Sequence, residues 1–264
     1  RKGRPPMISA PLCALLGKEE TPLATAADVL GVIAVVFGLA GSLAMGALQV
    51  RSGLGSIFGA PQSALVSILV LGALYLAYMI STLTGVEKGM RILSNLNMVI
   101  ALAIMAFILV AGPTRFILES FVDTIGSYGS ELVQMAFRLF PYENLTDWSA
   151  NWTLTYLIWW LAWGPFVGVF IARISRGRTI REFCAGVIVL PTVFSILWFC
   201  VFGGAGIYIE LFGPGGLSGL VAENVSDALF AFLDYFPFSI LLSYLTMVLI
   251  FIFLVPSADS GTFV

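Results

Sequence analysis

Apolar residues run unbroken for a membrane's width in six places: 28–50, 62–84, 92–112, 152–172, 183–209 and 237–258. A helix needs about 20 such residues to cross the hydrocarbon core. The pattern predicts an all-α integral membrane protein, a polytopic helical bundle forming one transmembrane domain over 1–264. Between the third and fourth runs the pattern changes. Over 115–140, Leu118, Phe121, Val122, Ile125, Tyr128, Leu132, Met135 and Leu139 recur at three- and four-residue steps. Charged residues fall mostly between them. That spacing predicts an amphipathic helix at the membrane interface or against a neighbouring subunit, with Gly126 and Gly129 as the place for a break.

Composition agrees with the pattern. The chain is 59% hydrophobic and only 11% charged, where soluble domains carry about a quarter charged residues. No basic cluster resembles a nucleic-acid footprint, and the net charge is −2. There is no histidine, so histidine-based acid–base or metal chemistry is excluded. Cys13, Cys184 and Cys200 lack metal-ligand spacing and read as packing residues. Three Asn-x-Ser/Thr triplets, Asn224-Val225-Ser226 among them, match the glycosylation pattern and carry no assigned role.

The fourth run holds the most chemistry. It reads Trp152-Thr153-Leu154-Thr155-Tyr156-Leu157-Ile158-Trp159-Trp160-Leu161-Ala162-Trp163-Gly164-Pro165. At helical spacing Tyr156, Trp159, Trp160 and Trp163 share one side. Electron-rich rings on one face hold a cation that offers no hydrogen-bond donors, such as a quaternary ammonium. Trp152 stands at the span's edge, where an interfacial anchor is expected. Trp159, Trp160 and Trp163 lie about 10–17 Å deeper, beyond the belt. Gly164-Pro165 predicts a mid-span break, tolerated only beside protein or a water-lined cavity.

Loop charge sets an orientation. Of the 13 Lys and Arg, all but Arg51, Arg115 and Arg138 fall on one side: Arg1, Lys2, Arg4, Lys18, Lys88, Arg91, Arg173, Arg176, Arg178 and Arg181. The positive-inside rule makes that side cytoplasmic. In the arginine-rich loop, Thr179 and Glu182 fit an N-cap and its N3 partner at the start of the fifth span. Near the end, Pro256 frees a backbone carbonyl and Ser257 and Ser260 offer hydroxyls. Those are ligand types for a hard cation such as sodium.

Taken together these residues resemble a known family. The run Trp152-Thr153…Tyr156…Trp159-Trp160…Trp163…Pro165-Phe166-Val167-Gly168 followed by Ile171-Ala172-Arg173-Ile174-Ser175-Arg176-Gly177-Arg178-Thr179-Ile180-Arg181-Glu182 is similar to the signature of the betaine–choline–carnitine transporters. Gly46-Ala47-Leu48-Gln49, Gly85-Val86-Glu87-Lys88-Gly89, Phe202-Gly203-Gly204 and Ser257-Ala258-Asp259-Ser260 extend the likeness over nearly the whole chain. The resemblance implies a twelve-span secondary transporter with two inverted repeats, of which this chain is expected to be a piece covering spans five to ten. It implies alternating access, a small quaternary ammonium substrate of the glycine betaine, choline or carnitine type, a bacterial inner membrane and a homotrimer, with 115–140 a candidate contact. By the same analogy Tyr156, Trp159, Trp160 and Trp163 face substrate. Phe166 would neighbour one sodium site, and Phe253 and Ser257 the other, with sodium as the candidate coupling ion.

The chain also departs from that family. Where sodium-coupled members carry hydroxyls on the fifth span, the matching positions are Val35 and Leu39. Pro256 replaces the threonine before the serine of the tenth span. A sodium-independent exchanger or a proton-coupled transporter of a related zwitterion is therefore the alternative. A membrane-embedded enzyme is the rival from another class. It would need buried acid–base or metal ligands, yet Asp and Glu are almost absent from the six runs, and no catalytic residue is assigned.

Overall fold

The computed structural model describes residues 7–17, 21–84, 87–175 and 177–262, without the side chains of 84, 87–91, 173 and 259–262. Among the described residues there are helices and no strands. In chain order they are α1 (Ala10–Leu16), α2 (Pro22–Phe58), α3 (Ala64–Thr84), α4 (Glu87–Ala111), α5 (Thr114–Ala136), the single turn α6 (Thr146–Trp148), α7 (Thr155–Ile174), α8 (Ile180–Cys184), α9 (Leu190–Phe199), α10 (Ala205–Phe212), α11 (Leu217–Glu223), α12 (Val225–Leu233) and α13 (Ser239–Thr262). Three π-helical segments, Ser149–Leu154, Ala185–Val189 and Cys200–Gly204, join neighbouring helices without a break. Six helical stretches are long and apolar enough to cross a membrane: Pro22–Phe58, Ala64–Leu83, Ile92–Ala111, Thr146–Ala172, Ile180–Phe212 and Ser239–Ala258.

Two readings of the sequence need correction. The expected break at Gly164-Pro165 is absent, because α7 runs on through Pro165. Pro165 has no N–H for the carbonyl of Leu161, so one ladder bond is lost. A true break would strand several polar groups in hydrocarbon, each at a cost of several kcal/mol. The helix keeps the smaller loss. Likewise α5 passes straight through Gly126 and Gly129. Glycine weakens a helix by about 1 kcal/mol per residue. Here Ser130 Oγ donates to the Gly126 carbonyl at 3.0 Å and so supports the turn.

The chain forms two compact units. The first comprises Arg1–Gly41, Gln134–Leu190 and Ser260–Val264. In it Ser9 donates twice to Asp28, from its N–H at 2.8 Å and its Oγ at 2.7 Å, which ties α1 to α2. Beside α6, Arg138 lies over the Phe140 ring at 4.6 Å and pairs with Glu143 at 3.2 Å. The loop between α7 and α8 ends in the expected capping box. Glu182 N–H donates to Thr179 Oγ1, and the Glu182 carboxylate accepts from Thr179 N–H at 2.9 Å.

The second unit comprises Ser42–Val133 and Pro191–Asp259. One core cluster gathers Ile104 and Ile108 of α4, Ile117 of α5, Val201, Ala205 of α10, and Phe230 and Leu233 of α12. Another gathers Ala47 and Val50 of α2, Val70 and Leu74 of α3, and Leu254 and Val255 of α13. Helix α5 thus buries Ile117 completely and leaves Leu118, Val122 and Ile125 exposed. Small residues let helices approach where no side chain fits. On α2, Gly46 faces Leu254 and Gly53 faces the Phe230 ring.

Of the ten cations that the positive-inside rule assigns to one side, Arg1, Lys2, Arg4, Lys18 and Arg176 lie outside the described residues, as do Gly85 and Val86. The side chains of Glu87, Lys88, Arg91, Arg173, Asp259 and Ser260 also lie outside them.

Candidate functional site

Helix α7 carries the aromatic residues, and its spacing decides which rings meet. Trp152, Tyr156, Trp159, Trp163, Phe166 and Phe170 follow one another at steps of four and three residues. Such steps keep side chains on one face, over about 27 Å of helix. The rings accordingly pack in series. Trp152 stacks on Tyr156 at 6.1 Å, with planes 8° apart. Tyr156 stacks on Trp159 at 6.0 Å. Trp163 meets Phe166 edge-on at 5.4 Å, and Phe166 stacks on Phe170 at 6.5 Å. Trp152 is therefore continuous with this face as well as standing at the span's start.

Trp160 behaves differently. It sits at the margin of the aromatic face, joins neither run of rings, and is 72% exposed. Its indole presents open π surface, while Trp159 and Trp163 are partly covered. Tyr156 is exposed too, at 45%. A methylated ammonium has no N–H to donate, so it is held by the negative faces of such rings and by excluded water. Fixed rings with one free neighbour can do that without any formal charge in the site.

Helix α2 supplies the backing for this face. A Cβ on Gly38 would lie 3.0 Å from Ala162 Cβ and 3.3 Å from Trp163 Cδ1. Glycine at 38 is what lets α2 and α7 come this close, with Trp163 lying against bare backbone.

The positions matched to sodium ligands divide. Val35 is buried at 7% exposure, and Leu39 is half-buried. Both are hydrocarbon and neither side chain offers an oxygen. In α13, Pro256 lies inside the helix and leaves the Ile252 carbonyl without its N–H. One residue on, Ser257 Oγ donates to the Phe253 carbonyl at 2.9 Å. That pair puts two hard oxygens side by side, as sodium requires. The Phe253 ring itself is exposed. Phe166 belongs to the first unit with Val35 and Leu39, whereas Phe253 and Ser257 belong to the second.

Spacing alone could have found Phe166 and Phe170, because they continue the four-three alternation from Tyr156 through Trp163. The π turn ahead of Thr155 has no compositional mark.

Six apolar spans, one of them bearing an aromatic face, define an all-α integral membrane protein. The chain belongs to the betaine/carnitine/choline family of transporters, whose family model matches residues 1–264. It is 42% identical to the glycine betaine transporter OpuD of Bacillus subtilis, over 100% of this chain and 51% of that one. It is 40% identical to an ectoine/hydroxyectoine transporter of Virgibacillus pantothenticus, over 100% of this chain and 52% of that one. It is 38% identical to the ectoine/glycine betaine/proline transporter EctP of Corynebacterium glutamicum, over 98% of this chain and 43% of that one. The chain thus spans about half the length of the curated relatives it matches.

Proposed function

We propose that the full-length protein is a secondary transporter in the cytoplasmic membrane, moving a quaternary ammonium or related zwitterionic solute such as glycine betaine by alternating access. The observation that carries this reading is the aromatic face of α7, with Trp160 open beside Tyr156, Trp159 and Trp163. Glycine betaine joins a trimethylammonium to a carboxylate. Its cationic end is the kind of group that rings hold, each contributing about 0.5–2 kcal/mol when desolvated. Relatives that carry glycine betaine or ectoine support the same substrate class. The family's inverted-repeat architecture would put the site near the bilayer midplane. Basic loop residues put Arg178 and Arg181 on the cytoplasmic side. A homotrimer, with the exposed apolar face of α5 as contact, completes the reading.

Coupling follows from the oxygen inventory. Val35 and Leu39 supply no ligand, so at most one sodium site remains, near Phe253 and Ser257. Proton coupling or solute exchange is the second reading, and it rests on the same hydrocarbon pair. Saturable uptake of labelled glycine betaine by cells making the full-length protein, above cells lacking it, tests the transporter reading. Uptake that stays linear with concentration would refute it.

A further inference from the structure

Arg51 is a charge within a span, and none of the chemistry above uses it. It lies on α2 two turns before Phe58, where that span ends. Its side chain is half-buried, and Nη1 donates to Ser67 Oγ of α3 at 3.0 Å. That bond uses one of the five N–H donors of a guanidinium. Nε is buried and has no partner among the described residues. No carboxylate among them pairs with Arg51 either. A cation inside a span is costly, and such residues are matched by an opposite charge or reach for the interface. A serine hydroxyl supplies no charge, so the guanidinium still calls for an anion.

The same side of the helix pair carries an apolar cavity. It has a volume of about 230 Å³ and is lined by Leu43 of α2, by Leu71, Leu74, Tyr75 and Tyr78 of α3, and by Leu254 of α13. The Tyr75 and Tyr78 rings meet edge-on at 5.7 Å and close its lower wall. Its outer wall is open to the surroundings, since Leu71 is 37% and Tyr75 55% exposed. Ser67, Leu71, Tyr75 and Tyr78 stand at steps of four, four and three residues, on one face of α3. Leu43, Ala47 and Arg51 stand at steps of four on α2. Arg51 meets Ser67 at one level, and Leu43 meets Leu74 and Tyr78 at another. The two levels are eight residues apart on α2, about 12 Å along the helix.

That spacing is the length of one leaflet's hydrocarbon, which is about 15 Å deep. An anion at Arg51 and an apolar chain in the cavity therefore fit one molecule. A free inorganic anion would leave the cavity unused, and a carboxylate of the protein would do the same. We propose that the groove between α2 and α3 holds one anionic phospholipid, with its phosphodiester on Arg51 and Ser67 and one acyl chain running past Leu71 into the cavity. The planar guanidinium suits phosphate oxygens. An anionic headgroup such as glycerol phosphate is preferred, because the ammonium of a zwitterionic lipid competes with Arg51 for the phosphate. The positive-inside assignment puts Arg51 toward the outer leaflet.

The test uses the purified full-length protein in phosphatidylcholine nanodiscs. Phosphatidylglycerol with a diazirine near the end of one acyl chain is added and irradiated, and labelled peptides are read by mass spectrometry. Label is expected on 43–47 and 71–78, and excess plain phosphatidylglycerol should remove it. Label that misses both segments, or that the excess does not remove, would overturn the proposal. Arg51→Gln should reduce labelling of these segments about fivefold, with labelling elsewhere unchanged. Arg51→Lys keeps the charge and should retain most of it. Undiminished labelling in Arg51→Gln would also overturn the proposal. Melting temperatures supply a second reading. Phosphatidylglycerol should raise that of the wild type more than that of Arg51→Gln. An equal rise in both would mean that a group of the protein pairs with Arg51, and would count against the lipid. None of these readouts needs uptake, so the outcome stands apart from the transporter reading.

Discussion

The contact between Gly38 and α7 gives a sharp test of how the aromatic face is supported. In Gly38→Ala the new methyl would lie 3.0 Å from Ala162 Cβ, 3.3 Å from Trp163 Cδ1 and 3.4 Å from Trp163 Nε1. Carbon atoms rest at about 3.5–4.0 Å, so α2 and α7 must part by a few tenths of an ångström, or Trp163 must turn. Ala162 Cβ is fixed to its backbone and cannot rotate away. Trp163 is held edge-on by Phe166 at 5.4 Å. Overpacking of this kind costs about 1–3 kcal/mol, a factor of about 5–150 in an equilibrium constant. Gly41→Ala is the control. It lies on the same helix, a Cβ there meets nothing within 4 Å, and alanine favours helix by up to about 1 kcal/mol over glycine. Melting temperature and glycine betaine affinity would be measured on both purified full-length variants. Gly38→Ala should lower both, and Gly41→Ala should leave affinity unchanged. Indistinguishable behaviour of the two variants would refute the reasoning.

Other outcomes follow from the same account. Single cysteines in the Arg173–Arg181 loop should resist an impermeant thiol reagent added to intact cells, while cysteines in the 144–151 loop should react; the reverse pattern would invert the topology. With Val35 and Leu39 as hydrocarbon, uptake should depend on sodium with a Hill coefficient near one, or not at all; steep cooperativity would show that other residues supply a second set of ligands. Thr179→Ala removes the capping box of α8 and should cost about 0.5–2 kcal/mol of stability, while Thr179→Ser should recover most of it; equal melting temperatures for Thr179→Ala and wild type would count against the cap.

The spans were legible because hydrocarbon selects them: runs of about 20 apolar residues have few other uses. The capping box was legible too, since Thr179 and Glu182 carry their own local signal. The break at Gly126 was misread because one glycine costs a helix only about 1 kcal/mol, and the break at Gly164-Pro165 because propensity was given the weight it has in water. In hydrocarbon, an interrupted ladder costs more than a poor residue. The three π turns left no trace, since an extra residue in a turn changes no residue type. On the aromatic face of α7, Tyr156, Trp159 and Trp163 were read together from spacing, and the continuation to Phe166 and Phe170 could have been. What spacing could not tell is that Trp160 stands free of its neighbours, because that depends on how each ring turns about its own bonds. The hydrogen bonds that Gln49 and Ser52 of α2 make to Ser226 and Asp227 of α12 were invisible for a different reason: they join residues some 170 positions apart, and no local pattern announces such a meeting.

The exposure of Trp160 makes the central claim easy to isolate. At 72% exposed and outside the ring series, it contributes little to packing within the chain. Trp160→Leu keeps an apolar side chain and removes the π face. Calorimetric titration of glycine betaine into purified full-length wild type and Trp160→Leu, with their melting temperatures alongside, is the most direct measurement. The account predicts a loss of about 1–2 kcal/mol in binding, roughly five- to thirty-fold, at unchanged stability, with Trp160→Phe losing less. Equal affinity for wild type and Trp160→Leu would contradict it.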